Sequence, residues 1–417
     1  MRTSLAATLS PDTAKFQEKR EAILSAAAQM FNQSGIKGVS LGEIAASVGL
    51  VTTSIAYYYR KKEDLATACL IRAINANQAL AQEAAKQPSV RWRVSRYIEL
   101  LALDRAAINS GNKSAPMLFH DIRALPQAQS VVVFEAYTQL FRQIRVLLQG
   151  PETASLSRQA LNARTHLLLS WSHAFCTCLH RYELSTYSRV AQRFSDIVLK
   201  GLAAPLSTWP AHAAMANLKL SAPPQATDMA MDAFLRAATE LVNEQGYHGA
   251  SVDKISACLR VTKGSFYHHN DNQLDLITAC FERSFEVLRY ALTAAEKASG
   301  PGWVRLCAVT AMLLQIQLSE RGPLLRTTAT SALPDQHQRE QVGQTLGRLH
   351  ERIASLLVDA MMDGSVRPQD MSLAALVMAS SINAAAELRR WVPGINEHTV
   401  ASLYGRPALL GLLCPKL

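Results

Sequence analysis

Slid along itself by 211 residues, the chain matches without a gap. Gly35 falls on Gly246, Gly38 on Gly249, Ser40 on Ser251, Ile44 on Ile255, Ser54 on Ser265 and Leu65 on Leu276. This repeat constrains the fold more than any other feature, because the structure one copy adopts must be open to the other. At ~100–200 residues per domain, 417 residues leave room for about two to four domains. Each copy opens on a helix. Ile23, Ala26, Ala27, Met30 and Phe31 recur at helical spacing as one apolar stripe, and Phe234, Ala237, Ala238, Leu241 and Val242 repeat it. Gly35 and Gly246 follow as stops, where a residue with positive φ is wanted. Ser40 and Ser251 then cap a second helix. Glu43 completes a capping box in the first copy, while Lys254 stands at the matching place in the second. That helix buries Ile44, Ala45 and Val48 in copy one, and Ile255 and Leu259 in copy two. A short turn, a third helix and a long fourth helix complete each copy, the last beginning near Glu63 and near Leu274.

Composition agrees with helices. Alanine and leucine dominate and aromatics make up 6%, which favours helix over sheet. The expected fold class is all-α. The formal net charge of +10 permits a nucleic-acid partner without requiring one. The seven cysteines are scattered and form no CxxC, so reduced thiols are expected. The start has no apolar stretch like that of a signal peptide, and no uninterrupted apolar run approaches the ~20 residues needed to cross a bilayer. A cytoplasmic protein with no membrane partner is the expectation.

Two short helices joined by a tight turn form a major-groove reader. The segments "REAILSAAAQMFNQSGIKGVSLGEIAASVGLVTTSIAYYYRKKEDL" and "DAFLRAATELVNEQGYHGASVDKISACLRVTKGSFYHHNDNQLDL" both resemble the DNA-binding region of TetR/AcrR-type transcriptional regulators. The resemblance implies a tandem duplication of that fold. Each unit would be a helix-turn-helix head plus a helical bundle, and the two would form an intrachain pseudo-dimer. It implies DNA contacts from Lys263, Gly264, Tyr267, His268 and His269, with Thr262 capping the recognition helix and Ser251 the helix before it. In the first head the corresponding set is Ser40, Thr52, Thr53, Tyr57, Tyr58 and Lys62, with Tyr59 at the family's aromatic core position. Neither head keeps the whole pattern. Arg260 replaces the glycine found at Gly49, Asn270 stands where an aromatic packs, Val51 takes the capping position and Ala56 that of a tyrosine.

Local charge separates the heads. Residues 1–66 carry Arg2, Lys15, Lys19, Arg20, Lys37, Arg60, Lys61 and Lys62 against Asp12, Glu18, Glu21, Glu43, Glu63 and Asp64, a net +2. Residues 228–277 carry Arg236, Lys254, Arg260 and Lys263 against Asp228, Asp232, Glu240, Glu244, Asp253, Asp271 and Asp275, a net −3. Phosphate contacts supply most non-specific affinity, so the first head should grip DNA harder.

The expected organisation is a first head at 10–66, a first effector and dimerisation bundle at 67–206, a linker at 207–227, a second head at 228–277 and a second bundle at 278–417. Late helices near 193–202 and 384–394 should meet in a four-helix seam. The partners implied are a double-stranded DNA operator of imperfect symmetry and a small, apolar effector of unknown identity. A further homodimer is left open, and no cofactor is called for. Phe119, Trp171 and Phe175 are candidates for an effector pocket, with core packing as their other role. His166, His173, Cys176, Cys178 and His180 include ligand types that zinc prefers, but CxC is a poor chelating spacing on a helix, and a packed stripe is the expected reading, with no metal. No nucleophile–base set, P-loop or GxGxxG is present, so catalysis has no support in the sequence. The competing class is a helical sensor or partner-binding protein whose heads have degenerated.

Overall fold

The structure, a computed structural model, describes residues 11–119, 125–205, 207–218, 220, 228–246, 252–259, 273–333 and 335–415. It is helical throughout. Among the described residues no strand forms, only an isolated antiparallel bridge between Ala203 and Val366.

The first half begins with α1 (Pro11–Ser34), α2 (Leu41–Ser47), α3 (Thr52–Tyr58) and the long α4 (Lys62–Ala85). Its bundle adds α5 (Val90–Asn109), α6 (Gln127–Leu147), α7 (Arg158–Cys178) and α8 (Tyr187–Lys200). After α9 (His212–Ala216), the second half opens with α10 (Met229–Gln245), α11 (Val252–Leu259) and the long α12 (Gln273–Lys297). It continues with α13 (Gly302–Leu318), α14 (Gln336–Met362), α15 (Met371–Ala384) and α16 (Leu388–Trp391). It ends on a π-turn, Ala401–Gly405, running into α17 (Arg406–Leu410).

The expected apolar stripes lie inside. Ile23, Leu24, Ala27, Ala28 and Phe31 are buried on α1, and Phe234, Ala238, Leu241 and Val242 on α10. Gly35 and Gly246 stop these helices at φ 69° and 73°. The repeat also governs the tie between first and long helix. Arg72 pairs with Glu21 at 3.1 Å, and Arg283, its partner at the 211-residue spacing, with Asp232 at 2.7 Å. The Cys69 thiol donates to the Leu24 carbonyl at 3.5 Å, and that of Cys280 to Leu235 at 3.6 Å. Burial pushes these thiols up to about 12 and about 11.

The late helices of both halves meet in one seam of four. Helix α7 packs on α15, the π-turn and α17, while α8 packs on α15. The Trp171 indole N–H donates to the Val377 carbonyl and the Ser381 hydroxyl at 3.1 and 2.9 Å. Asn162 reaches the Trp391 carbonyl, and buried Arg164 the carbonyls of Leu412 and Cys414. The tightest crossing is backbone on backbone. Leu202 N–H donates to Leu409 O at 2.7 Å, and Leu412 N–H to Val198 O at 2.9 Å. Gly201 and Gly411 lie at the crossing with φ 73° and 86°, and a Cβ on Gly201 would fall 2.2 Å from the Leu410 carbonyl carbon. "LKGL" (199–202) and "LLGL" (409–412) are thus counterparts, so the repeat runs to the last helix. The stretch 384–394 makes a 3-10 turn and α16, which packs on α7, and the counterpart of 193–202 lies further on. Met371–Trp391 is long and apolar enough to cross a bilayer, yet more than half of its apolar window is buried inside the protein.

Candidate DNA-reading heads and effector cavity

In the first head, the Ser40 hydroxyl accepts from the Glu43 N–H at 3.2 Å, and the Glu43 carboxylate accepts from the Ser40 N–H at 2.7 Å. The Ser40 hydroxyl also donates to that carboxylate at 2.7 Å, and this bond with the one from the Ser40 N–H holds the Glu43 carboxyl below its usual range. Gly49 turns the chain between α2 and α3 at φ 67°. Helix α3 buries Ile55 and directs Thr52, Thr53 and Tyr57 outward, the last 79% exposed. Tyr58 is half-buried, its ring stacked on Phe16 at 4.7 Å, and Tyr59 is buried. Lys62, the first residue of α4, donates to the carbonyls of Lys37 and Val39 at 3.2 and 3.0 Å. Its ammonium therefore ties α4 to the α1–α2 loop, beside exposed Arg60 and Lys61. The outward set of this head is Ser40, Thr52, Thr53, Tyr57 and the basic pair.

The second head is described through α10, capped by Asp228, and α11, with Ile255 and Ser256 buried. Ser251, Thr262, Lys263, Gly264, Tyr267, His268 and His269 lie outside the described residues, as do Arg260 and Asn270.

Each first helix also carries an asparagine, again 211 apart, that clamps an extended segment of its own bundle. Asn32 donates to the Pro116 carbonyl at 2.9 Å and accepts from the Leu118 N–H at 2.8 Å. Asn243 donates to the Leu324 carbonyl at 2.9 Å and accepts from the Arg326 N–H at 3.0 Å. The second segment is also held from the bundle side. The Gln317 side chain accepts from Leu324 N–H, the Ser284 hydroxyl from Leu325 N–H and the Asn383 side chain from Thr327 N–H.

Both clamped segments line cavities at the seam. The smaller, about 180 Å³, lies in the first bundle between α4, α5, α6 and α7. The larger, about 540 Å³, lies in the second between α12, α13, α14 and α15, with α7 of the first half as one wall. Tyr137, His173, Arg326, Glu387 and Trp391 line both and form the partition. Within it the Arg326 guanidinium and Glu387 carboxylate are paired.

Phe119 lines the smaller cavity, its ring against Tyr137 and His173 at 5.5 and 5.3 Å. Trp171 and Phe175 line neither, which corrects their place among the pocket candidates. Both are fully buried, Trp171 bonded across the seam and Phe175 stacked on Phe194 at 4.5 Å. The histidine stripe does not converge either. His166 Nδ1 lies 3.0 Å from the Tyr404 hydroxyl, His173 sits among the rings and His180 is bonded to the Thr177 carbonyl. Among the described residues no group of three metal-binding side chains comes together. The asparagine clamps carried a signal that the sequence reading missed: the same residue at the 211-residue spacing.

The profile described as "Bacterial regulatory proteins, tetR family" matches residues 23–69 and 234–280, the two heads at the spacing of the repeat. The Transposon Tn10 TetC protein of Escherichia coli is 34% identical over 73 residues, 18% of this chain and 36% of that protein. The HTH-type transcriptional regulator AcrR of Shigella flexneri is 26% identical over 142 residues, 32% of this chain and 66% of that protein. The chain thus spans about a third of the first relative and just under two thirds of the second. A TetR-family transcriptional regulator from Bordetella parapertussis 12822 aligns over 43% of this chain and 94% of its own, at 17% identity and a TM-score of 0.37. Both heads carry the signature of the TetR family, each built into a helical half, and the halves repeat one another as a tandem of TetR-type units.

Proposed function

We propose that the chain is a ligand-responsive, DNA-binding transcriptional regulator, a repressor that reads an asymmetric operator with two unlike heads. The observation that carries this is the seam: two head-bearing halves fastened by their last helices at Gly201 and Gly411, as two subunits would be. A two-fold dimer places its heads about one DNA turn, ~34–36 Å, apart, and one chain with both heads needs no second copy to do so. Thr52, Thr53 and Tyr57 are assigned to DNA in the first head, with Lys61 and Arg60 on phosphate, and Lys263, Tyr267 and His268 in the second. An effector in the seam cavities shifts the segments clamped by Asn32 and Asn243, and with them the first helix of each head. Differential affinity of about 1–3 kcal/mol between the two states gives a 5–150-fold effect on DNA binding.

The test is selection of bound genomic fragments followed by footprinting and sizing. One chain should protect two adjacent half-sites of unlike sequence, with affinity falling steeply as salt rises. Lys263→Ala should relax specificity at one half-site alone; equal loss at both would contradict the reading. The net −3 of residues 228–277 favours a second reading, in which head two completes the seam without gripping DNA. A footprint of one half-site, indifferent to Lys263→Ala, would select it.

A further inference from the structure

Duplication would be expected to leave two equal effector sites, one in each bundle, and the structure has none of that symmetry. We propose that the chain takes one uncharged, mainly apolar effector, in the larger seam cavity, where the second half supplies the chamber and α7 of the first half closes it. This deepens the regulatory reading and rests on it only for its consequence at DNA.

Sites for small molecules occupy about 300–1,000 Å³, which the cavity of about 540 Å³ meets and that of about 180 Å³ does not. The cause of the inequality lies in what each half inserts into the other. The second half drives α16 into the first bundle: Trp391 stacks on Phe141 at 4.6 Å, and the Arg390 guanidinium lies 3.8 Å over the Phe134 ring. These side chains fill the first bundle. In return, α7 lines the cavity of the second bundle with Ser170, Ala174 and Thr177, too small to fill it, beside His166, Leu169 and His173. On the opposite wall α14 carries Gly343 and Gly347, one turn apart, and a Cβ on either would meet nothing within 4 Å. Glycine is among the poorest residues for a helix interior, and here no neighbour requires it.

The lining sets the chemistry of the occupant. Phe281, Phe285, Leu288, Leu292, Leu313 and Ile353 supply apolar walls. Most of the polar groups are already bonded: Gln317 to Leu324 and Ile382, Ser284 to Leu325, Asn383 to Thr327, His166 to Tyr404. Arg326 and Glu387 neutralise one another, and Arg181 is exposed at the rim. A charged ligand would lose its hydration with no unmatched counter-charge inside to replace it.

The experiment is a fluorescence titration of the full chain, without DNA, using the uncharged two-ring probe 6-propionyl-2-(dimethylamino)naphthalene and, in parallel, anionic 8-anilinonaphthalene-1-sulfonate. One equivalent of the uncharged probe should bind per chain with blue-shifted emission, and more tightly than the anion. Gly347→Leu on the second-half wall and Ser170→Phe on the first-half wall should each weaken it by more than about tenfold. Asn77→Leu, which fills the smaller cavity, should leave it unchanged. Gly343→Ala and Gly347→Ala should raise the melting temperature while weakening the probe, a pairing that a purely structural glycine would not give. Two equivalents per chain, preference for the anion, loss with Asn77→Leu or no uptake would each overturn the proposal. Because DNA is absent, failure of the operator reading leaves this result standing, and the reverse holds too.

Discussion

Replacing Asn243 by alanine should disconnect the second head from its bundle while leaving both folded. The side chain is 6% exposed and makes two bonds to one extended segment, to Leu324 O and from Arg326 N–H. Removing it leaves a buried acceptor and a half-buried donor unmatched, at up to about 1–3 kcal/mol each, so the variant should lose at most about 2–6 kcal/mol before any relaxation. Asn243→Asp keeps an acceptor for Arg326 N–H but sets a buried carboxylate oxygen against the Leu324 carbonyl, acceptor on acceptor, so its loss should be no smaller. Denaturant unfolding measures both values. The functional readout is the ratio of DNA affinities without and with the uncharged naphthalene probe. That ratio should be about 5–150 for the natural chain, the range of a 1–3 kcal/mol coupling, and should collapse toward one in Asn243→Ala with probe uptake retained. Asn32→Ala, whose clamp faces the filled bundle, should lose stability and keep most of the ratio. An unchanged ratio in Asn243→Ala, or an equal fall in Asn32→Ala, would refute the clamp as the route between cavity and head.

Further expectations concern the frame. Burial holds His166 down to about 4 from an ordinary 6.5. The unfolded chain therefore takes up its proton first, so stability is full above about pH 6.5 and falls by about 3 kcal/mol on approaching pH 4; His166→Gln should flatten that part of a pH series of denaturation midpoints. The Arg283 side chain is 9% exposed and that of Arg72 24%, so Arg283→Met should cost about 3–5 kcal/mol in equilibrium unfolding. Arg72→Met, at the more open pair, should cost under about 1 kcal/mol. Gly201→Ala meets both a positive φ and a backbone contact, so it should cost more than the ~1–2 kcal/mol of the φ alone and broaden the unfolding transition as the halves separate.

Local rules made the heads legible. Gly35, Gly246, Ser40 with Glu43, and the apolar stripes act within a few residues of themselves, so the sequence carries them openly. The four-helix seam was legible as a class of packing, small residues against a buried helix, though not in its end: the counterpart of 193–202 is shortened by one residue to a spacing of 210 and begins in a π-turn, which blurs its periodicity. The cavities were not legible. Whether a bundle is filled depends on volumes brought together from distant segments, such as Trp391 against Phe141, and no window of sequence holds both. Trp171 and Phe175 were left with two roles for the same reason: a large aromatic on a late helix suits a pocket wall and a packed core equally, and the Ser381 hydroxyl opposite decided for Trp171. Asn32 and Asn243 could have been found by carrying the 211-residue comparison to polar positions.

The crossing at Gly201 and Gly411 joins the halves through amide and carbonyl groups that every residue owns. A fastening of that kind tolerates drift in the flanking side chains, provided the two glycines stay. Each half is then at liberty to acquire its own tastes, one for a ligand and the other for a stretch of duplex, without coming unbuckled from its twin.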